Sequence, residues 1–186
     1  MGRALALRLA ARGDTLVLLA RRGELLDALA EQIGAGGGKA RALACDVTDA
    51  QAVRAAFACI HAELGAVDRL VVCAGGGAPT FVDQLSGDDV DACVQRNFIG
   101  AVHCIAAVRP AMRARGSGHL VAIGSLAGHR GLPTAAAYSA SKAALANFME
   151  SLRIDLRGSG VDVTLLLPGF VRSRPGKGNH RGKPLR

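Results

Sequence analysis

Three residues near the middle of the chain have the types and spacing to act together on a carbonyl group: Ser125, Tyr138 and Lys142, in the stretch SLAGHRGLPTAAAYSASK. Tyr138 and Lys142 are four residues apart in an Ala-rich helical segment, so both side chains fall on one helix face, one turn apart. A free phenol has a pKa of about 10, and a neighbouring ammonium favours the phenolate. Tyr138 thereby becomes a usable acid or base. Ser125 follows the apolar, β-branched run His119–Gly124 and so sits at a strand end. From there its hydroxyl can hold the substrate oxygen that Tyr138 would protonate as a hydride arrives at carbon. A Tyr-x-x-x-Lys pair alone is a common helix pattern, so the other elements decide what it means.

The elements alternate. Gly2–Arg12 reads as a helix ended by Gly13, and Asp14–Ala20 as a buried strand followed at once by Arg21 and Arg22. Glu24–Ile33 places Leu25, Leu26, Leu29 and Ile33 on one stripe, and the glycine run at 34–38 that follows a helix is a flexible connection rather than a phosphate loop. Lys39–Cys45 is a strand ending at Asp46-Val47. Thr48 and Gln51 have capping-box spacing and open a helix to about Glu63. Arg69–Cys73 is a strand running into Ala74-Gly75-Gly76-Gly77, Ser86 opens one long helix to about Arg113 that carries Asn97, and Val161–Leu167 is the final strand. This order implies an α/β, Rossmann-like, doubly wound parallel sheet with helices on both faces. Ligands bind such sheets beyond the carboxyl ends of the strands, where Arg21, Asp46, Gly75, Ser125 and Pro168 all fall.

Composition narrows the class. The 186 residues are 50% hydrophobic and 20% charged but only 3% aromatic, so the core is Ala, Leu and Val, as where helices pack closely on a parallel sheet. The net charge of +8 includes six cations in the last fifteen residues and leaves +2 for residues 1–171. That distribution, without interleaved aromatics, argues against a nucleic-acid partner. The five cysteines form no Cys-x-x-Cys pair and are expected to be reduced core residues, and the five histidines share no spacing and receive no role. No apolar run approaches the roughly 20 residues needed to span a bilayer, so no membrane association and a cytoplasmic location are expected.

With these positions placed, Gly2 to about Ser173 closely resembles the short-chain dehydrogenase/reductase family. The resemblance rests on a Ser thirteen residues before the Tyr of Tyr-x-x-x-Lys, on Asn97 in the preceding long helix, and on Pro168-Gly169 in PGFVRS. It implies that Tyr138 is the acid/base and that Ser125 orients the substrate carbonyl. Lys142 would assist Tyr138 and hydrogen-bond the nicotinamide ribose, and Asn97 would hold a water that links Lys142 to solvent. Asp46 and Val47 would flank the adenine; Pro168, Gly169 and Val171 would line the nicotinamide side; Ala74 and Gly75 would let the backbone approach the cofactor, with Gly2 at the phosphate end. Members that prefer NAD place a carboxylate at the end of the second strand, where Ala20 stands here before Arg21, so NADP(H) is favoured over NAD(H). The family also implies a homo-oligomer formed through the 88–113 and 134–157 helices.

The chain departs from the family pattern in three places. It starts at what would be the last glycine of the Thr-Gly-x-x-x-Gly-x-Gly turn, so the family's first strand, between those at 15–20 and 69–73, is expected to be lacking. Residues 172–186 are expected to form a basic, flexible tail after an incomplete domain at 1–171, so both ends look truncated. The family's Asn-Asn-Ala-Gly is Val72-Cys73-Ala74-Gly75. Two functions of different class follow: an oxidoreductase that interconverts a carbonyl and a secondary alcohol, or a catalytically inactive fragment or helix-mediated interaction protein.

Overall fold

A computed structural model describes residues 1–169 and 171; the expected tail at 172–186 lies outside the described residues. The order is α1 (Gly2–Ala10), β1 (Thr15–Ala20), α2 (Gly23–Ala35), β2 (Lys39–Ala44), α3 (Ala50–Leu64), β3 (Arg69–Val72), α4 (Gly87–Val94), α5 (Gly100–Arg115), β4 (Gly118–Ile123), α6 (Ala136–Asp155) and β5 (Val161–Leu166). All strand pairs are parallel. β1 pairs with β2 from Thr15 opposite Lys39 to Ala20 opposite Ala44, while β4 lies between β3 and β5. Among the described residues no ladder joins β1 to β3, so the strands form one two-stranded and one three-stranded sheet. That interruption falls where the resemblance places the lacking strand.

Side-chain alternation shows how the layers hold together. Leu16 and Leu18 of β1 pack with Ala6, Ala10, Leu29 and Ile33 of α1 and α2 on one face. Val17 and Leu19 face the opposite way, into a cluster with Val53, Phe57, Ile105, Leu120, Ala122 and Leu145. This second cluster draws on both sheets and on α3, α5 and α6. A shared apolar layer therefore bridges the two sheets although no hydrogen-bond ladder does, and helices cover both faces.

Two expected helix features are corrected. The cap of α3 is Asp49, whose Oδ1 accepts from the backbone N–H groups of Gln51 and Ala52 at 2.8 and 3.0 Å. Thr48 is turned toward Asp46 instead, its N–H and hydroxyl both donating to Asp46 Oδ1 at 3.0 and 2.8 Å. The single long helix at 86–113 is instead interrupted by a π-helical turn over Gln95–Ile99, between α4 and α5. Such bulges mark places where a tertiary contact outweighs regular helix geometry, and the residue at the centre of this one is Asn97.

Candidate active site

Asn97 is fully buried and ties the helix to the loop after β3. Its Oδ1 accepts from Gly76 N–H at 2.8 Å, and its Nδ2 donates to Gly76 O at 3.0 Å and to Ser141 Oγ at 3.0 Å. Cys93 Sγ lies 3.1 Å from the same Nδ2. The Ser141 hydroxyl in turn donates to Tyr138 O at 2.8 Å. One amide thus links the β3 loop, the π turn and the second turn of α6. The loop accepts this position because Gly75 and Gly76 have φ of +154° and +151°, which L side chains rarely adopt. A Cβ on Gly75 would lie 2.9 Å from Asn97 Oδ1 and 3.1 Å from Lys142 Nζ, so the bare backbone is packed directly on both.

Lys142 is 3% exposed, and its Nζ donates to Ile123 O at the end of β4 at 2.8 Å. The ammonium is 6.0 Å from the centroid of the Tyr138 ring. Burial holds Lys142 below the usual lysine range, opposed by the neighbouring Cys93 and Cys73 sulfurs. The folded-state value therefore lies below the unfolded one, and between the two the unfolded chain holds the extra proton. Stability carried by this group accordingly rises with pH. The melting temperature of Lys142→Met, relative to wild type, is expected to fall as pH is raised toward 10.5. A difference that stays flat with pH would show that Lys142 carries no burial cost.

Tyr138 is half-buried, and its ring lies against the glycine loop: a Cβ on Gly77 would be 3.3 Å from Tyr138 Cβ and 3.4 Å from Cδ2. Ser125, two residues beyond Ile123, caps a short 3-10 turn by accepting from Ala127 N–H at 3.1 Å. Its hydroxyl hydrogen remains available to a ligand. Behind it, Leu126 N–H donates to Pro168 O at 3.2 Å, and a Cβ on Gly169 would be 3.3 Å from Leu126 Cδ1, which brings the Pro168-Gly169 turn up against the Ser125 turn. Ala74 is half-buried and Val171 is 49% exposed; neither side chain has a polar atom to join the cluster.

The other end of the crevice is cationic and acidic together. Arg21 Nη1 lies 3.9 Å from Asp46 Oδ2 in an exposed pair, which contributes little to stability. Asp46 is held below the usual carboxylate range chiefly by the hydrogen bonds from Thr48, with Arg21 and Arg96 adding to the effect. Gly2, at the N-terminus of α1, sits beside the end of β3, where a Cβ would lie 3.5 Å from Cys73 Cβ. That helix end, rich in unpaired N–H donors, suits an anion. The donor set therefore fits a nicotinamide dinucleotide: Asp46 and Arg21 at one end, Gly2 and the bare Gly75–Gly76 backbone between, Lys142, Tyr138 and Ser125 at the other.

Sequence reasoning missed several participants. Ser141 was readable as one turn from Tyr138, but its partner Asn97 lies 44 residues away. His103 was given no role, yet its Nδ1 lies 3.0 Å from Val47 O. Arg96 had no signal at all, since a cation on a helix is ordinarily a solvated face. All five cysteines are free; Cys45, Cys93 and Cys104 are buried, as expected of core residues, whereas Cys59 and Cys73 are only half-buried. Among the described residues no cluster of three or more His, Cys, Asp or Glu could hold a metal, and no helix is long and apolar enough to cross a membrane.

Residues 1–182 match the family model described as short chain dehydrogenase. An uncharacterized oxidoreductase of Myxococcus xanthus is 46% identical over 173 residues, 93% of this chain and 68% of that protein. A metagenomic short-chain oxidoreductase solved in complex with NADP superposes with a TM-score of 0.86 at 36% identity, over 92% of this chain and 78% of that one. An NAD+-bound xylitol dehydrogenase does so with a TM-score of 0.88 at 34% identity, over 94% and 67%. The chain spans 68% of the length of that Myxococcus protein and 61–65% of three other curated relatives. A family match over nearly its whole length, together with these identities, means that the chain belongs to the short-chain dehydrogenase family of oxidoreductases.

Proposed function

We propose that this chain carries the site of an NADP(H)-preferring oxidoreductase that interconverts a carbonyl and a secondary alcohol, with Tyr138 as the acid/base. The observation that carries the reading is the buried Lys142 ammonium below the Tyr138 ring, in contact with a glycine loop whose backbone is bare. A bound nicotinamide dinucleotide would supply or accept the hydride. In reduction, Ser125 donates a hydrogen bond to the substrate oxygen, and Tyr138 gives that oxygen its proton as negative charge develops there. The Lys142 charge stabilises the phenolate left behind. Asn97 keeps the loop and α6 in register, and the water path the family suggests from Lys142 would start beside it. In oxidation the same groups run in reverse.

NADP(H) is preferred in this reading because Arg21 stands at the end of β1 with its guanidinium free to exchange the exposed Asp46 for a 2′-phosphate. Structural relatives solved with NADP and with NAD+ both exist, so the preference rests on Arg21. The test is a titration of NADPH and NADH into the purified chain, following nicotinamide fluorescence. NADPH is expected to bind tighter, and Arg21→Ser to weaken NADPH by about 10- to 100-fold, the worth of hydrogen bonds to a charged group, with little change for NADH. Equal losses for both cofactors would remove Arg21 from the 2′-phosphate site.

A second reading is a catalytically silent member that works through association of its 88–113 and 134–157 helices. The interruption between β1 and β3 favours it, because the middle of the sheet lies under the dinucleotide. Absence of saturable binding by either nucleotide, with a defined dimer on size-exclusion chromatography, would select it. In the first reading the homo-oligomer uses those same helices, and the substrate is a small molecule met in the cytoplasm.

A further inference from the structure

The helix that carries Asn97 also grips a second strand-end turn. Gly100, three residues beyond Asn97, is buried against Val47: a Cβ there would lie 2.6 Å from Val47 Cγ2 and 3.2 Å from Val47 O. Only glycine lets the helix come this near. Three residues further, His103 Nδ1 lies 3.0 Å from the Val47 carbonyl oxygen. A carbonyl oxygen can only accept, so the imidazole carries a proton on Nδ1 and donates it. Asn97 lies in the π turn, and Gly100 and His103 follow in the first turn of α5, three residues apart and so on one face. The first fixes the loop after β3, and the other two fix the turn after β2.

Apart from the exposed Arg21–Asp46 pair and the apolar packing of Val47, the turn's other contacts are local. Asp46 binds Thr48, Asp49 caps α3, and the last backbone bond to β1 is Cys45 N–H to Ala20 O at 2.9 Å. Gly100 packs on it, and His103 supplies the hydrogen bond that connects it to α5. The ring also lines a cleft of about 420 Å3 between α3 and α5, with Arg54 and His61 on the α3 wall. A smaller side chain at 103 would therefore enlarge open space rather than leave a sealed void.

We infer that His103 is a positioning residue for the adenine end of the crevice: its Nδ1–H, bonded to Val47 O, sets where the Asp46–Val47 turn stands. The inference rests on the dinucleotide reading above, in which that turn flanks the adenine. It separates the residues of this helix into two duties, with Asn97 serving the reacting end and His103 the adenine end.

The test compares His103→Leu, which removes the donor, with His103→Asn, whose amide N–H reaches a place close to that of Nδ1. Affinities are measured for NADPH and for 2′,5′-ADP, the adenine half alone, along with hydrogen exchange of the Thr48 amide in the ligand-free chain. His103→Leu is expected to weaken both nucleotides about 5- to 10-fold, the size of one hydrogen bond, and to speed Thr48 exchange. His103→Asn is expected to restore both to within about two-fold of wild type, which a purely space-filling role would not produce. If wild type binds NADPH and His103→Leu binds it equally well, the inference fails and the dinucleotide reading stands. If wild type binds neither nucleotide, the dinucleotide reading fails and the adenine role with it. Unchanged Thr48 exchange in His103→Leu would overturn the anchoring itself.

Discussion

Replacing Tyr138 with Phe is expected to lower the rate of carbonyl reduction at saturating NADPH by about 10²- to 10⁴-fold, the range contributed by a positioned general acid. The substitution is conservative in every respect but one. The ring sits against Gly77, with its Cβ and Cδ2 making the contacts, and Phe keeps those atoms. Ser141 bonds to the Tyr138 backbone oxygen rather than to the phenol, so the link to Asn97 also survives. What disappears is the hydroxyl that would give the substrate oxygen its proton. NADPH affinity and the melting temperature are therefore expected to stay close to wild type while kcat collapses. A loss smaller than about ten-fold, against a ketone that wild type reduces, would move the acid elsewhere, because one positioned proton donor is worth more than that.

The grouping of Ser125, Tyr138 and Lys142 was largely legible in the sequence and the contacts of the Asp46–Val47 turn were not, for reasons that differ in kind. Tyr138 and Lys142 are brought together by a local spacing on one helix, and Ser125 follows directly from a strand that its own β-branched residues announce. Asn97 needed the family resemblance, because an Asn inside a helix is otherwise only a satisfied polar. Its π turn could not be read at all: the apolar pattern around it continues through the bulge, and the cause lies in the Gly76 peptide 21 residues earlier. Asp46 stands just past its strand end, where the sequence put it, yet Thr48 is turned to that carboxylate and Asp49 makes the cap that spacing had assigned to Thr48. His103 was invisible for a similar reason. Its partner is a backbone carbonyl, and a carbonyl leaves no mark in a sequence.

The division of the sheet shows the same limit on a larger scale. Alternating strands and helices predict parallel pairing with helices on both faces, and all three observed ladders are parallel. Alternation alone does not say that β1 and β3 stand apart; that expectation comes from the departure from the family pattern at Gly2. Val17, Leu19 and Leu43 nevertheless pack on the same cluster as Leu120 and Leu145, so apolar burial holds together two sheets that no ladder joins among the described residues. Polar contacts that cross between elements then matter more than they would in a continuous sheet, and Asn97 makes the densest set of them.

Asn97→Ala is accordingly expected to lower unfolding stability by about 2–4 kcal/mol, the cost of leaving buried donors and acceptors without partners. The Gly76 N–H and C=O both lose their partner, while Ser141 Oγ loses a donor but keeps Tyr138 O as its own acceptor. Gly76 is only half-buried, so water entering the truncated site would recover part of the loss. That places the effect nearer the lower figure. For a chain of this length, a loss of about 2 kcal/mol corresponds to a melting temperature lower by roughly 4–8 °C. Asn97→Asp separates the hydrogen bonds from the volume. It keeps an acceptor for Gly76 N–H but turns an oxygen toward Gly76 O, replacing attraction with repulsion at unchanged size. Both variants are expected to unfold at lower denaturant concentration than wild type, and to lose NADPH affinity as the Gly75–Gly76 loop lifts off Lys142. A denaturation midpoint unchanged in Asn97→Ala would mean that the loop is held by its own glycine geometry, and that Asn97 follows the loop rather than fixing it.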